Sequence, residues 1–397
     1  MFMSAANIDI ITVADACVRQ NIFSSLQEAR RVLAEAVDKL PSVSTAPVYA
    51  KLVTDNYLLR SLILAGKEII DAANSSGEPA DNVVDFAEHK IYDIRAGVEN
   101  KSLTKIKGIV YERLRAIDEL AKQAQQNGGK PVMTGLETGF TELDKMIFGL
   151  NKSDLIILAA RPGMGKTSFA MNVAVNVAQK YKTKSVCVFS LEMLKEQIVA
   201  RMLSSEGMVS SEAMRTGIIP PDAMNRVINA ATFLHDLEIY IDDTPAINIM
   251  NMKSKLRRMK NLGAVIIDYL QLMRPAGNYN HNRVSEISEI TRNLKIMAKE
   301  LNVPVIALSQ LSRSSEQRPD KRPLLSDLRD SGSIEQDADL VLFLYRNSYY
   351  DETDPNQNLC ECIVAKNRHG EVGTVRLGWQ GEYTRFTNVE IQYHNGG

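Results

Sequence analysis

The sequence predicts an α/β protein with a mainly parallel sheet and an antiparallel extension. A small all-α domain and a linker helix precede it. Three observations carry this. Nearly continuous apolar, β-rich runs recur at 154–160, 184–190, 238–242, 264–270, 303–309 and 339–345, with helical patterns between most of the earlier ones. Strands that are apolar throughout must be covered on both faces, which is the condition of a parallel sheet. Later runs near 361–366, 373–379 and 384–391 follow one another across short turns and predict antiparallel strands. Before residue 100 the pattern is helical, and no catalytic constellation is present.

Taken in order, helices are expected over Ser24–Leu40, Val48–Asn74 and Asn82–Ala96, with Asn74-Ser75-Ser76-Gly77-Glu78-Pro79 as a stop. Residues 1–98 read as a helical interaction or assembly domain. In the linker, 99–130, Leu103, Ile106, Val110, Leu114, Ile117 and Leu120 recur at helical spacing, and Asn127-Gly128-Gly129-Lys130-Pro131 ends the helix. Such an apolar stripe needs cover, either within its own chain or on a neighbouring subunit; the sequence leaves both open. Residues 131–397 form the α/β domain, where Val284, Ile287, Ile290, Leu294, Met297 and Leu301 keep helical spacing.

The chain of 397 residues is 45% hydrophobic and 24% charged, an ordinary soluble composition. No apolar run reaches membrane-spanning length and no charged-then-apolar leader opens it, so no membrane partner and a cytoplasmic location are expected. A net charge of −1 excludes a surface coated with cations but not a groove that concentrates them. Four cysteines make no disulfide framework in a chain this long, and five scattered histidines show no metal-ligand spacing. Cys360 and Cys362 read as two thiols on one face of a strand rather than as a metal or redox pair.

The chemistry concentrates after the first apolar run, in Ala159-Ala160-Arg161-Pro162-Gly163-Met164-Gly165-Lys166-Thr167. This is a phosphate-binding loop whose usual first glycine is Ala160, the smallest alternative at the strand exit. Gly163 and Gly165 let backbone amides curl round a phosphate, Lys166 reaches the β and γ phosphates, and Thr167 can ligate Mg²⁺. The helix opening at Lys166 adds its positive end. Arg161, Pro162, Met164 and Ser168 complete the expected ATP contacts. Asp268, after three apolar residues, is expected to support the metal, since an ionised carboxylate there needs a partner. Glu192 and Gln310 each end a neighbouring strand. They are candidates for activating water and for sensing the γ-phosphate; a helix-capping Glu and a surface Gln are the alternatives.

With these residues in place, the chain resembles the replicative DNA helicases of the DnaB type, which carry a RecA-like ATPase core. The similarity runs from about Ile10 to Glu390. It rests on TGFTELDKMIFGLNKSDLIILAARPGMGKTSFAMN, FSLEM, VIIDYLQLM, ALSQLSR, DLRDSGSIEQDAD and VAKNRHGEVGTVRL in that order. The family commonly has alanine where Ala160 stands. The resemblance implies that Glu192 activates water, that Gln310 links the γ-phosphate to DNA loops, and that Lys366 and Arg368 are cationic fingers inserted into the next subunit's site. It implies that Arg329, Asp330 and Gly332 line a central channel holding single-stranded DNA, with Asp330 standing where glutamate is more usual. Arg274–Arg283 is either a second channel-facing loop, ending on Arg283, or a surface loop. Lys253–Lys260 reads as a solvated helix face. The family further implies a homo-hexamer moving 5′ to 3′ on single-stranded DNA, with primase and a helicase loader as partners. Family members carry a longer segment before the point matching Ile10, so the amino-terminal domain is expected to be incomplete. A RecA-type recombination or repair ATPase and a non-motor helicase-like scaffold are the alternatives.

Overall fold

The computed structural model describes residues 10–19, 22–38, 46–74, 80, 83–84, 86–88, 90–91, 94, 105–129, 132–245, 247–273, 283–328 and 332–389. The chain divides into two compact units, Met1–Asp118 and Glu119–Gly397. The boundary falls inside a helix, α4, and not at its ends.

The first unit is helical. It holds α1 (Ile10–Arg19), α2 (Leu26–Asp38), α3 (Ala46–Asn74) and the start of α4 (Ile106–Gln126). Ser25 Oγ accepts the Glu28 N–H at 3.2 Å and so caps α2, close to the predicted start. α1 packs on α2, where Ala14 and Ala29 are fully buried. On α3, Leu52, Leu59, Ile63 and Leu64 are exposed, and α4 buries no residue. The expected stop after Asn74 lies outside the described residues; within the expected helix Asn82–Ala96, residues 83–84, 86–88, 90–91 and 94 are described, and all are helical.

In the second unit, α5 (Thr141–Ile147) leads into β1 (Leu155–Ala160), α6 (Lys166–Lys180) and β2 (Ser185–Ser190). Three helices follow, α7 (Lys195–Gly207), α8 (Ser211–Thr216) and α9 (Pro221–His235), before β3 (Ile239–Asp242). Then come α10 (Ile249–Arg257), β4 (Leu262–Asp268), α11 (Arg283–Leu301), β5 (Val305–Gln310), α12 (Gly332–Asp337) and β6 (Leu340–Tyr345). β7 (Leu359–Asn367), β8 (Gly373–Gln380) and β9 (Arg385–Asn388) close the chain. The nine strands form one sheet in the order β3-β2-β4-β5-β1-β6-β7-β8-β9. The first six strands of that order are parallel, and β7 to β9 join antiparallel, as the sequence predicts.

Alternate residues of each parallel strand serve different cores. Ile156, Leu158 and Ala160 of β1 pack with α6 and the antiparallel strands, while Leu155, Ile157 and Ala159 pack with α10, α11 and α12. At about 1.5–3 kcal/mol for each fully buried aliphatic side chain, these two cores fix the strand register firmly. Cys360 and Cys362 sit two apart on β7, both buried on the same face. Burial pushes the Cys360 thiol up to about 12 and Cys362 higher still.

Two expected boundaries shift. The run at 264–270 leaves the sheet at Asp268, where the Asp268 carbonyl accepts the Leu191 N–H at 2.6 Å, and Leu270–Leu272 turn into a short 3-10 helix around buried Leu270. β5 extends to Gln310, held by the register Ala160↔Gln310 with β1. Residues 312–328 form a closed excursion. An isolated bridge pairs Leu311 with Leu328, and Arg318 Nη1 meets Asp327 Oδ1 at 2.9 Å inside it. No helix among the described residues is long and apolar enough to cross a membrane.

Candidate active site

β1, β2, β4 and β5 end side by side, with Ser190 opposite Asp268 and Ala160 opposite Gln310. In a parallel sheet this carboxyl edge is where ligands are received. The loop leaving β1 brings Gly163 and Gly165 to φ 81° and 96°, a backbone region that favours glycine. Space demands glycine as well. A Cβ on Gly163 would lie 2.8 Å from the Tyr349 ring, and one on Gly165 would lie 2.9 Å from Phe386. Met164 points inward and is buried, as is Ser168 in the first turn of α6.

Lys166 opens α6 with its side chain 14% exposed, its Nζ 3.7 Å from Asp268 Oδ1 and 4.5 Å from the centre of the Tyr269 ring. Burial holds this ammonium below the usual lysine range, opposed by the charges of Asp268 and Glu192. Thr167 Oγ1 donates to Asp268 Oδ2 at 2.7 Å. Asp268 is completely buried, and its Oδ1 has no hydrogen-bond partner. A hydroxyl and a carboxylate with an oxygen to spare form a hard donor set that fits Mg²⁺ brought in with phosphates. Glu192 follows β2 in an exposed bend, within electrostatic reach of Lys166. Gln310 ends β5, the strand between the phosphate-loop strand and the Asp268 strand.

Arg161 ties the loop to the segment beyond Gln310: its Nη1 donates to the Leu311 carbonyl and its Nε to Glu316 Oε1, both at 2.9 Å. The antiparallel side supplies a wall that the sequence reading missed. Arg346 Nη2 donates to the Gly163 carbonyl at 2.7 Å, and its guanidinium lies 4.8 Å from the Trp379 ring and 5.9 Å from that of Tyr349. Arg346 follows an apolar strand as Asp268 does, so the signal that found Asp268 was available for it too. Trp379 and Phe386 come from β8 and β9, and no local pattern joins them to the loop.

Lys366 and Arg368 are not brought to this edge. β7 runs against β6, with Leu340 opposite Asn367, and so reaches the amino ends of the parallel strands. The length of β1 separates these cations from the phosphate loop of their own chain, roughly 20 Å at a strand's usual rise. Lys366 Nζ donates to the carbonyls of Glu335, Gln336 and Ala338 at the end of α12, the last at 2.7 Å. Burial, then the neighbouring Arg368 charge, holds Lys366 below the lysine range. Arg368 Nη1 meets Asp339 Oδ1 at 3.2 Å, yet its side chain is 52% exposed. Buried Asp339 also accepts the Leu155 N–H at 2.8 Å and an ion pair from Lys295. Nearby, His369 Nε2 lies 2.9 Å from Asp154 Oδ2.

Of the expected DNA contacts, Arg329, Asp330 and the loop 274–282 lie outside the described residues. Gly332 opens α12 and Arg283 opens α11. Lys253 and Arg257, in the basic run read as a solvated face, both pair with Glu300 at 3.1 and 3.3 Å.

Residues 135–388 match the family described as the DnaB-like helicase C terminal domain. The replicative DNA helicase DnaB of Geobacillus stearothermophilus is 44% identical over 364 residues, 91% of this chain and 79% of that protein. The replicative DNA helicase DnaC of Bacillus subtilis (strain 168) is 42% identical over 395 residues, 98% of this chain and 85% of that protein. A solved DnaB-like replicative helicase, described with its interactions with primase, aligns at TM-score 0.71 and 32% identity, covering 98% of this chain and 89% of that one.

Proposed function

Because the chain belongs to the family of DnaB-like helicases, we propose that it is an ATP-hydrolysing replicative DNA helicase, driven from the carboxyl edge described above. The relatives carry this reading over a recombination ATPase.

One observation gives the reading its mechanism: loop and fingers lie at opposite edges of one sheet. A protomer cannot serve its own nucleotide with Arg368. The site is completed by a neighbour in a ring of identical subunits, a homo-hexamer in this family. The triphosphate lies along the backbone amides of 163–167 with Lys166 at its β and γ phosphates, and the exposed ring of Tyr349 beside Gly163 offers the base a surface. Thr167 and Asp268 would hold Mg²⁺, which supplies positive charge against the phosphate oxygens. Glu192, exposed beside Lys166, orients and deprotonates the attacking water. Arg368 and Lys366 of the adjoining protomer stabilise charge on the transferring phosphoryl group, and Gln310 registers its departure.

Arg161 then ties the loop to the excursion that leads towards Arg329, Asp330 and Gly332, the residues we assign to the single-stranded DNA backbone; Arg283 stands at the second such loop. Backbone gripping makes travel, 5′ to 3′, indifferent to sequence and sensitive to salt. The helical first unit is the expected meeting place for primase and a loader, and a DNA substrate of this kind puts the protein in the cytoplasm.

The test is ATP turnover with and without single-stranded DNA, alongside the mass of the assembly. Unwinding of a forked duplex with a 5′ tail supports the helicase; strand exchange supports the recombinase. A Glu192→Gln protein should bind ATP and assemble without turning it over, and unchanged turnover would refute that assignment.

A further inference from the structure

β5 carries Gln310 beyond the support of one of its neighbours. Its pairing with β1 runs the whole way, from Leu155↔Val305 to Ala160↔Gln310. Its pairing with β4 stops at Ile267↔Ala307. The N–H groups of β5 alternate in direction. Those of Val305 and Leu311 go to the β1 side, to the carbonyls of Asp154 and Ala160. The N–H of Gln310 therefore faces the β4 side, where the strand has already left the sheet.

A side chain fills that place. Gln271 sits in the 3-10 turn that follows β4 and turns its amide back onto β5. Nε2 donates to Ser309 Oγ at 2.9 Å and lies 3.4 Å from the Gln310 carbonyl, and Oε1 accepts the Gln310 N–H at 3.4 Å. A primary amide has the donor and acceptor of a peptide group, so it can stand in for one more residue of β4. Ser309 is completely buried, and a buried hydroxyl without its partner is costly.

We propose that Gln271 is a positioning residue for Gln310. It clamps the end of β5 to the 3-10 turn Leu270–Leu272 that follows Asp268, so that a displacement of Gln310 is shared with that turn. Gln310 alone would move one loop; Gln310 held by Gln271 moves two elements together. This rests on the assignment of Gln310 to the γ-phosphate.

The experiment uses the full chain in its assembled form. Gln271→Met keeps the volume and removes both polar atoms. It should leave the KM for ATP within about twofold and lower kcat in the presence of single-stranded DNA by about tenfold, the scale of a lost coupling contact. Combined with Gln310→Ala, it should add nothing to the loss that Gln310→Ala causes alone. Gln271→Glu keeps the acceptor for the Gln310 N–H and should retain most of the stimulation, which separates a lost hydrogen bond from a damaged fold. Stimulation unaffected by Gln271→Met while Gln310→Ala abolishes it overturns the clamp alone. Independent, multiplicative losses in the double variant also overturn it. A Gln310→Ala protein that DNA stimulates normally removes the assignment of Gln310 and the clamp with it.

Discussion

Two carboxylates, at opposite edges of the same sheet, sit in contrasting surroundings. Asp268, the last residue of β4, accepts a hydrogen bond from Thr167 Oγ1 at 2.7 Å and keeps Oδ1 without a hydrogen bond, 3.7 Å from Lys166 Nζ. Asp339, before β6, is saturated by the Leu155 N–H, Lys295 and Arg368. Both are buried, so burial does not distinguish them. What differs is what remains to be satisfied. A buried acceptor left open is costly unless a ligand completes it, which suits an edge built to receive a cation and phosphates. A saturated carboxylate holds part of its own chain in place. At that second edge the unfinished group is the cation, since Arg368 is half exposed.

The comparison breaks most visibly at the cations. Arg368→Ala should lower ATP turnover by roughly a thousandfold or more, the range of a lost arginine finger, in a steady-state phosphate-release assay. Lys166→Ala should cost on the order of a hundredfold to a thousandfold and weaken ATP binding as well. Mixing the two inactive proteins sharpens the point. Part of the turnover should return, because some interfaces then pair an intact Lys166 with an intact Arg368 from the next protomer. No recovery in a mass-verified mixed ring would mean that the two edges do not meet.

Asp339→Asn should have a smaller effect. It removes the charge facing Lys295 and Arg368 while keeping the shape, so stability should drop by about 1–3 kcal/mol in a denaturant melt. Turnover should fall by about tenfold as Arg368 loses its orientation. Asp268 should respond differently, since its role is towards the ligand: Asp268→Asn should abolish magnesium-dependent turnover with little change in the melt of the free protein.

Titration separates the edges more gently. Burial holds Lys166 below the lysine range, so its charge is lost earlier as pH rises, and ATP affinity should decline over the alkaline range. The sign for folding is the reverse. Between its folded and unfolded pKa the unfolded chain binds more protons, so in the free protein this lysine contributes stability that increases with pH. Lys166→Met should flatten both trends. The smallest expected effect is at Cys360 and Cys362. Burial raises both thiols, so alkylation of the native protein near neutral pH should leave turnover unchanged.

Much of the carboxyl edge was legible in the sequence. Lys166, Thr167 and the two glycines follow from backbone chemistry within a few residues, and a charge after an apolar strand marks Asp268. The amino edge was less so. Lys366 and Arg368 stood out only through family resemblance, because a strand end with two cations reads equally well as solvated surface. Asp339 stands just before an apolar run, after Glu335 and Asp337, and its partners Leu155, Lys295 and Arg368 are scattered along the chain. Arg346, Tyr349, Trp379 and Phe386 converge on the loop from three separate segments. Gln271 is invisible locally, since its importance is that β4 stops short of Ser309.

By itself, then, the order of residues determined the strands, the phosphate loop and the carboxylate that faces it, because those depend on periodicity and on peptide geometry over short spans. Only the folded sheet decided that the loop and the Lys366–Arg368 pair belong to different edges, that one carboxylate is open and the other closed, and that a glutamine stands in for a missing strand residue. Those are matters of register and direction, fixed when two cores pack against opposite faces of the strands, and no local stretch of sequence carries them.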